Sequence, residues 1–180
     1  DLKVMMKVSQ NLHASTYPLL LAAKDGETSL AAGMRREAAF LKELGIPPES
    51  LSFGGGAGGR RADLATPRAT VQLLRALRGR PDCPAFEAAL PVLGRDGTSS
   101  DHVAAESRVR GHVRAKTGTY WEDNALTGRA VMLSKALAGY MDTESGRTLC
   151  FAFFVNNVSQ DVADGEKLVT SKEAGKLLGR

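Results

Sequence analysis

The apolar positions of this chain change period past its midpoint. In residues 28–44 they recur every three or four residues, which predicts an amphipathic helix that ends at Gly45 before two prolines. A shorter helical stretch is predicted at residues 86–93. From residue 112 onward apolar and polar residues alternate instead, which predicts strands. The pattern therefore indicates helices followed by a sheet.

Further helices are predicted before the change of period. Residues 11–23 are rich in apolar side chains but contain Pro18, where we expect the helix to break or restart, and the segment before them is predicted to be helical as well. Thr66 and Pro67 are typical of an N-cap and a first helical residue. This helix is predicted to end near Gly79.

The second part of the chain predicts an antiparallel sheet and a closing helix. Ser145 and Gly146 suit the turn of a hairpin between the last two strands. Residues 162–178 carry leucines among lysines and predict a helix packed on the sheet. The fold class is therefore α/β of the α+β kind, with helices packed on an antiparallel sheet. The strand candidates are residues 112–119, residues 126–134 or a little beyond, and residues 148–156.

Composition favours one globular domain over residues 1–180. The 180 residues are 43% hydrophobic, which is enough to build a core, and the net charge of +4 is spread among many acidic residues. We therefore expect no nucleic acid as a partner. The histidines, His13, His102 and His112, are too scattered to propose a triad or a metal site, and we expect no metal and no cofactor. No signal peptide or membrane span is visible in the sequence, which says little about the compartment.

Two cysteines this far apart in sequence indicate neither a disulfide framework nor a metal site. We expect two separate thiols. Cys83 is predicted to lie in a loop flanked by prolines, and Cys150 to be buried in the apolar run 149–155. Neither is a promising nucleophile.

A run of glycines at residues 54–59 follows a short predicted strand at residues 51–53. The run formally satisfies Gly-x-Gly-x-x-Gly, but no helix begins at the glycines and no Lys-Ser/Thr pair follows, so a dinucleotide or phosphate site is not expected. A flexible loop explains the glycines better. Arg60 and Arg61 are predicted to form a solvated turn.

The predicted strand at residues 112–119 ends in an unusual polar sequence. Lys116 stands on its polar face, and Gly118 lacks a Cβ, so that a ligand can approach the backbone closely. Thr117 and Thr119 offer hydroxyl donors beside the ammonium group, which together suit a carboxylate. The alternative is a solvated edge strand on which the lysine prevents aggregation.

A second motif near the amino end bears on this choice. Ser9 and Asn11 are separated by Gln10 where a helix should begin, and both side chains could serve as helix caps. A Ser-x-Asn at a helix start, followed at long range by Lys-Thr-Gly on a strand, resembles the second and third motifs of the penicillin-recognising serine transferases, whose first motif is Ser-x-x-Lys.

Longer segments resemble one family, the D-alanyl-D-alanine carboxypeptidase/endopeptidases, or class C low-molecular-mass penicillin-binding proteins. In that family a lysine two residues before the motif serine and an Asn-Leu after it are typical, as here. The similar segments follow the family order: they are LKVMMKVSQNLHA, TPRATVQLL, VRAKTGTY and ALAGYMDTESGRTLCFAFFVNN.

The resemblance implies a penicillin-binding-protein/β-lactamase-like transpeptidase fold that is incomplete in this chain. It implies a serine D-Ala-D-Ala carboxypeptidase or endopeptidase that acts on peptidoglycan peptides through an acyl-enzyme and is also acylated by β-lactams. Ser9 would relay protons, Asn11 would bind the substrate amide, and Lys116 would supply positive potential. Thr117 and Thr119 would bind the free carboxylate beside Gly118. The location implied is the periplasm or the extracytoplasmic cell envelope.

Two departures from the family pattern stand out. The glycine run replaces a family loop resembling Asp-Gly-Ser-Gly-Leu-Ser, so that its Asp and Ser side chains are missing. In addition, no serine of the chain has a lysine three positions later. The family places Ser-x-x-Lys before large inserted domains, so we expect an N-terminal segment of the same protein to supply the nucleophile. A β-lactamase, an esterase and a non-catalytic peptidoglycan-binding remnant remain as alternatives.

Overall fold

The computed structural model describes residues 1–159, and the closing helix expected at residues 162–178 lies outside the described residues. No helix in this part of the chain is long and apolar enough to cross a membrane. The helices are α1 (Leu2–Val8), α2 (Asn11–Ala23), α3 (Leu30–Glu43), α4 (Pro67–Arg78) and α5 (Cys83–Ala89). The strands are β1 (Leu51–Ser52), β2 (Leu64–Ala65), β3 (Val113–Asn124), β4 (Arg129–Asp142) and β5 (Thr148–Ser159).

The strands form two antiparallel sheets. β1 and β2 make a short ribbon around the glycine run, and β3, β4 and β5 make a three-stranded sheet in that order. Gly146 adopts φ 76° in the turn between β4 and β5, as expected for the hairpin. Helices thus precede an antiparallel sheet, which confirms the predicted fold class.

The helices cover the face of the sheet to which Lys116 belongs. Arg114 and Tyr140 are register partners and share one face, and Tyr140 is fully buried among side chains of α4 and α5. Because alternate residues share a face, Lys116 lies on the helix side as well. The opposite face carries the second core cluster, which contains Val113, Ala115 and Phe151. The polar face predicted for β3 therefore faces the helices and not open solvent.

The expected break at Pro18 is wrong, because α2 continues through it. Proline lacks the N–H that would bond to the carbonyl four residues earlier, which belongs to Ala14. Gly56 of the glycine run packs against that carbonyl: a Cβ at Gly56 would lie 2.0 Å from the Ala14 oxygen. A tertiary contact thus takes up the carbonyl that Pro18 leaves without a helical partner.

The helix predicted at residues 86–93 begins and ends earlier in the structure, as α5. Leu90 has ψ 142° because it precedes Pro91, and a residue before proline disfavours the helical region. The chain then runs extended, and the N–H of Leu93 donates to the Val113 carbonyl at 2.9 Å. Pairing with β3 thus replaces helical hydrogen bonds.

Both cysteines are free, as predicted, but their surroundings differ from the prediction. Cys83 is buried at the first residue of α5 and not in a loop, whereas Cys150 is half-buried. Burial raises the pKa of each thiol. Cys83 therefore belongs to the packed interior, and Cys150 packs against the core cluster around Tyr140.

We expect Tyr140→Phe to lower the free energy of unfolding by about 1 kcal/mol, because the Tyr140 hydroxyl is buried and donates to the Leu74 carbonyl at 2.8 Å. Urea denaturation measures the change. Tyr17→Phe is the matched control, since its hydroxyl makes no hydrogen bond within the described residues. Equal losses in the two variants would contradict the role of the Leu74 contact.

Candidate active site

Ser9 lies at the junction between α1 and α2 in a left-handed conformation, with φ 58° and ψ 52°. Its N–H bonds to the Met5 carbonyl and ends α1. A non-glycine residue in this region carries some strain, which concentrates at functional sites. The turn leaves the Ser9 side chain exposed.

Gln10 caps α2, and neither of the motif side chains does. The Gln10 Oε1 accepts the Leu12 N–H at 3.0 Å. Asn11 is the first residue of α2 and is exposed. The helix-cap explanation for Ser9 and Asn11 is therefore wrong, because the intervening residue performs that role.

Lys116 and Ser9 meet although 107 positions separate them in the sequence. The Lys116 Nζ donates to the Ser9 Oγ at 2.8 Å and to the Thr117 carbonyl at 2.7 Å. No carboxylate among residues 1–159 pairs with this ammonium group. Burial lowers the pKa of Lys116. The arrangement provides a hydroxyl and an amine within proton-transfer distance.

The outer edge of β3 is covered over part of its length. The Pro91 carbonyl accepts the N–H of Ala115 at 2.9 Å, beside the contact between Leu93 and Val113. In an antiparallel strand the residues whose backbone groups face the same edge alternate, so Thr117 and Thr119 also direct N–H and C=O groups away from β4. Beyond Ala115 no backbone group of the described residues pairs with this edge, and the Thr117 carbonyl accepts only the Lys116 amine. An extended peptide can add to it there.

The remaining residues of the predicted site surround this open edge. Gly118 and Thr119 are exposed, and the Thr117 Oγ1 lies 3.1 Å from the Thr98 Oγ1. Thr98 belongs to a short 3₁₀ turn, Gly97–Ser99, that the sequence did not single out. The structure thus brings Ser9, Lys116 and Thr117 together. Asn11, which follows Ser9 by two residues, makes no hydrogen bond to them.

The glycine run forms an ordered rim next to β3 and β4. The Asp63 carboxylate accepts the N–H of Gly54 at 2.6 Å and that of Arg60 at 2.8 Å. Arg61 pairs with Glu122 of β3, its Nε lying 2.6 Å from Oε1, so this turn is anchored and not merely solvated. A cavity of about 340 Å³ opens between the loop and the sheet, lined by residues including Arg60, Asp63, Tyr120, Ser134 and Asn156.

Within the described residues no group of His, Cys, Asp and Glu has the arrangement of a metal site. The glycine run is followed by β2 and not by a helix, which disfavours a dinucleotide site. The groups that meet at the site are the Ser9 hydroxyl, the Lys116 amine and the Thr117 carbonyl.

Comparison with solved structures identifies the class of protein whose fold this chain has. It is similar to penicillin binding protein 4 from Haemophilus influenzae, solved in complex with a β-lactam, at 23% identity and a TM-score of 0.78 over 99% of this chain and 41% of that one. A predatory endopeptidase from Bdellovibrio bacteriovorus, solved with an immunity protein, matches at 22% identity and a TM-score of 0.67, over 99% and 41%. A class A β-lactamase from Bacteroides cellulosilyticus matches at 16% identity and 0.63, over 98% and 60%. The fold is thus that of penicillin-binding proteins and β-lactamases.

The sequence narrows the class to one family. The profile of the D-Ala-D-Ala carboxypeptidase 3 (S13) family matches residues 1–173, and the chain belongs to that family. A search of curated proteins gives no significant match. The chain spans 41% of the length of the penicillin-binding protein and of the endopeptidase above.

We expect Gln10→Ala to destabilise the protein by roughly 0.5–1 kcal/mol through loss of the α2 cap. Ser9→Ala should change stability by less than about 0.5 kcal/mol, as surface substitutions usually do. Thermal denaturation of both variants checks the order. The reverse order would restore Ser9 as the cap.

Proposed function

We propose that this chain is the C-terminal portion, residues 1–180, of the catalytic domain of a serine D-Ala-D-Ala carboxypeptidase/endopeptidase that acts on peptidoglycan peptides and is acylated by penicillin. The observation that carries the proposal is the 2.8 Å contact between Ser9 Oγ and Lys116 Nζ beside an open strand edge. Membership of the S13 family supports the substrate class.

Each site residue has a role in this proposal. Ser9 relays a proton between the nucleophile's lysine and Lys116 toward the leaving nitrogen, because its hydroxyl can donate and accept at once. The half-buried ammonium of Lys116 attracts the substrate carboxylate, which the hydroxyls of Thr117 and Thr119 bind. The N–H of Thr119 forms half of the oxyanion hole, Gly118 keeps the edge clear, and Asn11 holds the substrate amide.

The acylated serine is proposed to lie in an N-terminal segment of the same protein. The chain contains no Ser-x-x-Lys and spans 41% of the length of the Haemophilus influenzae penicillin-binding protein. Apolar side chains also flank Ser9 in an exposed state: Val8 is 62% exposed and Leu12 69%. A segment that brings a serine to Ser9 would cover these side chains. Such an enzyme acts in the periplasm or elsewhere in the cell envelope.

Lys116→Ala in the protein with its nucleophile segment should slow acylation by penicillin about 10² to 10³-fold, because it removes a preorganised charge. The melting temperature should change little, since the contact of the Lys116 amine with Ser9 lies at the exposed surface. Lys42→Ala, on the exposed side of α3, is the control. A loss of less than about tenfold would count against the assignment.

The 180-residue chain by itself should form no penicilloyl adduct, since it contains no Ser-x-x-Lys and Ser9, in contact with Lys116, is proposed as a proton relay and not as the nucleophile. Intact mass spectrometry after incubation with a β-lactam tests this, with circular dichroism to establish that the chain is folded. Adding the segment with Ser-x-x-Lys should restore labelling.

The position and fate of the adduct separate the alternatives. An adduct on Ser9 of the isolated chain would show a misassigned nucleophile, and no adduct with the segment present would favour a non-catalytic remnant. Faster turnover of β-lactams or short esters than of a D-Ala-D-Ala peptide would favour a β-lactamase or an esterase.

A further inference from the structure

A partly buried ion pair lies directly behind the Ser9 turn. The Lys7 Nζ contacts both carboxylate oxygens of Asp96 at 2.7 Å and donates to the Leu90 carbonyl at 2.6 Å. The Lys7 side chain is 12% exposed. Asp96 Oδ1 also accepts the N–H of Val92 at 2.8 Å. The last turn of α1 is therefore attached to the segment at residues 90–96.

The same segment is attached to the strand that carries Lys116. The Pro91 carbonyl accepts the Ala115 N–H, one residue before Lys116. Two residues past Asp96, the Thr98 hydroxyl meets that of Thr117, one residue after Lys116. The segment at residues 90–98 is thus bonded to Lys7, which lies two residues before Ser9, and to the two neighbours of Lys116 in β3.

Backbone packing sets the spacing between these parts. Gly97 has φ 61°, and a Cβ there would lie 2.7 Å from the Lys7 carbonyl and 3.1 Å from the Pro91 Cβ. No side chain therefore fits between α1 and the turn at Gly97. The Lys7 contacts hold α1 against residues 90–96 at this close distance.

The ion pair is supported by further hydrogen bonds at both partners. Partial burial opposes ionisation of Asp96, but the hydrogen bonds from Lys7 and from the Val92 N–H outweigh it and lower the pKa of Asp96. The carboxylate is therefore charged at neutral pH, and the contact weakens when pH falls through that lowered pKa. The Lys7 side chain is 12% exposed and that of Asp96 46%, so solvent screens the attraction in part.

We propose that Lys7 and Asp96 are positioning residues that hold the Ser9 hydroxyl at proton-transfer distance from Lys116 during acylation. The effect on rate rests on the proposed function, whereas the attachment of α1 does not. A second element follows from the same segment: Thr98 orients the Thr117 hydroxyl and so acts on binding of the substrate carboxylate.

The kinetic test uses the complete protein and a chromogenic β-lactam in stopped-flow experiments, which give an acylation rate constant and a noncovalent dissociation constant. Lys7→Met and Asp96→Asn should each lower the rate constant about 10²-fold, the loss typical of a small misplacement, with little change in the dissociation constant. Thr98→Val should mainly raise the dissociation constant. Lys7→Arg, which can keep the ion pair, should recover most of the rate.

Several results would overturn the proposal. One is an acylation rate constant of Lys7→Met within threefold of that of an active wild type. Another is a Lys7→Met sample in which fewer molecules react but those that do react at the wild-type rate, because that result indicates a structural role. Asp25→Asn, which breaks an exposed ion pair with Arg36, is the control and should leave both constants unchanged.

Hydrogen–deuterium exchange measures whether α1 stays attached to residues 90–96, and it does not depend on catalysis. Backbone exchange across residues 8–12 should accelerate in Lys7→Met and not in Asp25→Asn. Unchanged exchange in Lys7→Met contradicts the positioning role whatever the activity. An unreactive wild type combined with accelerated exchange in Lys7→Met would instead contradict the proposed function and leave the attachment standing.

Discussion

The half-covered outer edge of β3 is the constraint around which the candidate site is arranged. β4 pairs with β3 from Val113 to Asn124, whereas on the other side the segment at residues 91–93 stops at Ala115. Beyond that point the Thr117 carbonyl accepts the Lys116 amine, and the other outward peptide groups need a partner or water and are available to an extended substrate. Lys116 is the first residue past the covered part. Its side chain turns to the helix face, so the amine lies at the site while the adjoining backbone remains accessible.

Features with local signals could be predicted from the sequence, and features made by distant pairing could not. Thr66 caps α4 and Gly146 turns the last hairpin because each choice depends on a few neighbouring residues. The helix predicted at residues 86–93 ends at Ala89 in the structure, because Pro91 and pairing with β3 override helix propensity. The Lys7–Asp96 pair joins residues 89 positions apart, and no periodicity marks such a pair. The contact of Ser9 with Lys116 was implied by the family resemblance, not by any local pattern.

The glycine run shows how this chain supports a rim without the usual side chains of the family loop. Asp63 accepts two backbone N–H groups across the run, and Arg61 ties the following turn to Glu122. The absence of a Cβ at Gly56 lets the loop rest on the backbone of α2 beside Pro18. The loop is therefore held by its ends and by backbone contact. Asp63 at the end of the loop lines the cavity together with Tyr120 and Asn156 of the sheet.

The left-handed backbone of Ser9 restricts which hydroxyl amino acid the motif can use. Serine and threonine carry equivalent hydroxyl groups, yet the branched Cβ of threonine is strongly disfavoured at φ 58°. Glycine and asparagine tolerate the conformation but bring no hydroxyl. The turn thus acts as a stereochemical filter: among the hydroxyl-bearing aliphatic side chains, it accepts serine and excludes threonine before any chemistry is considered.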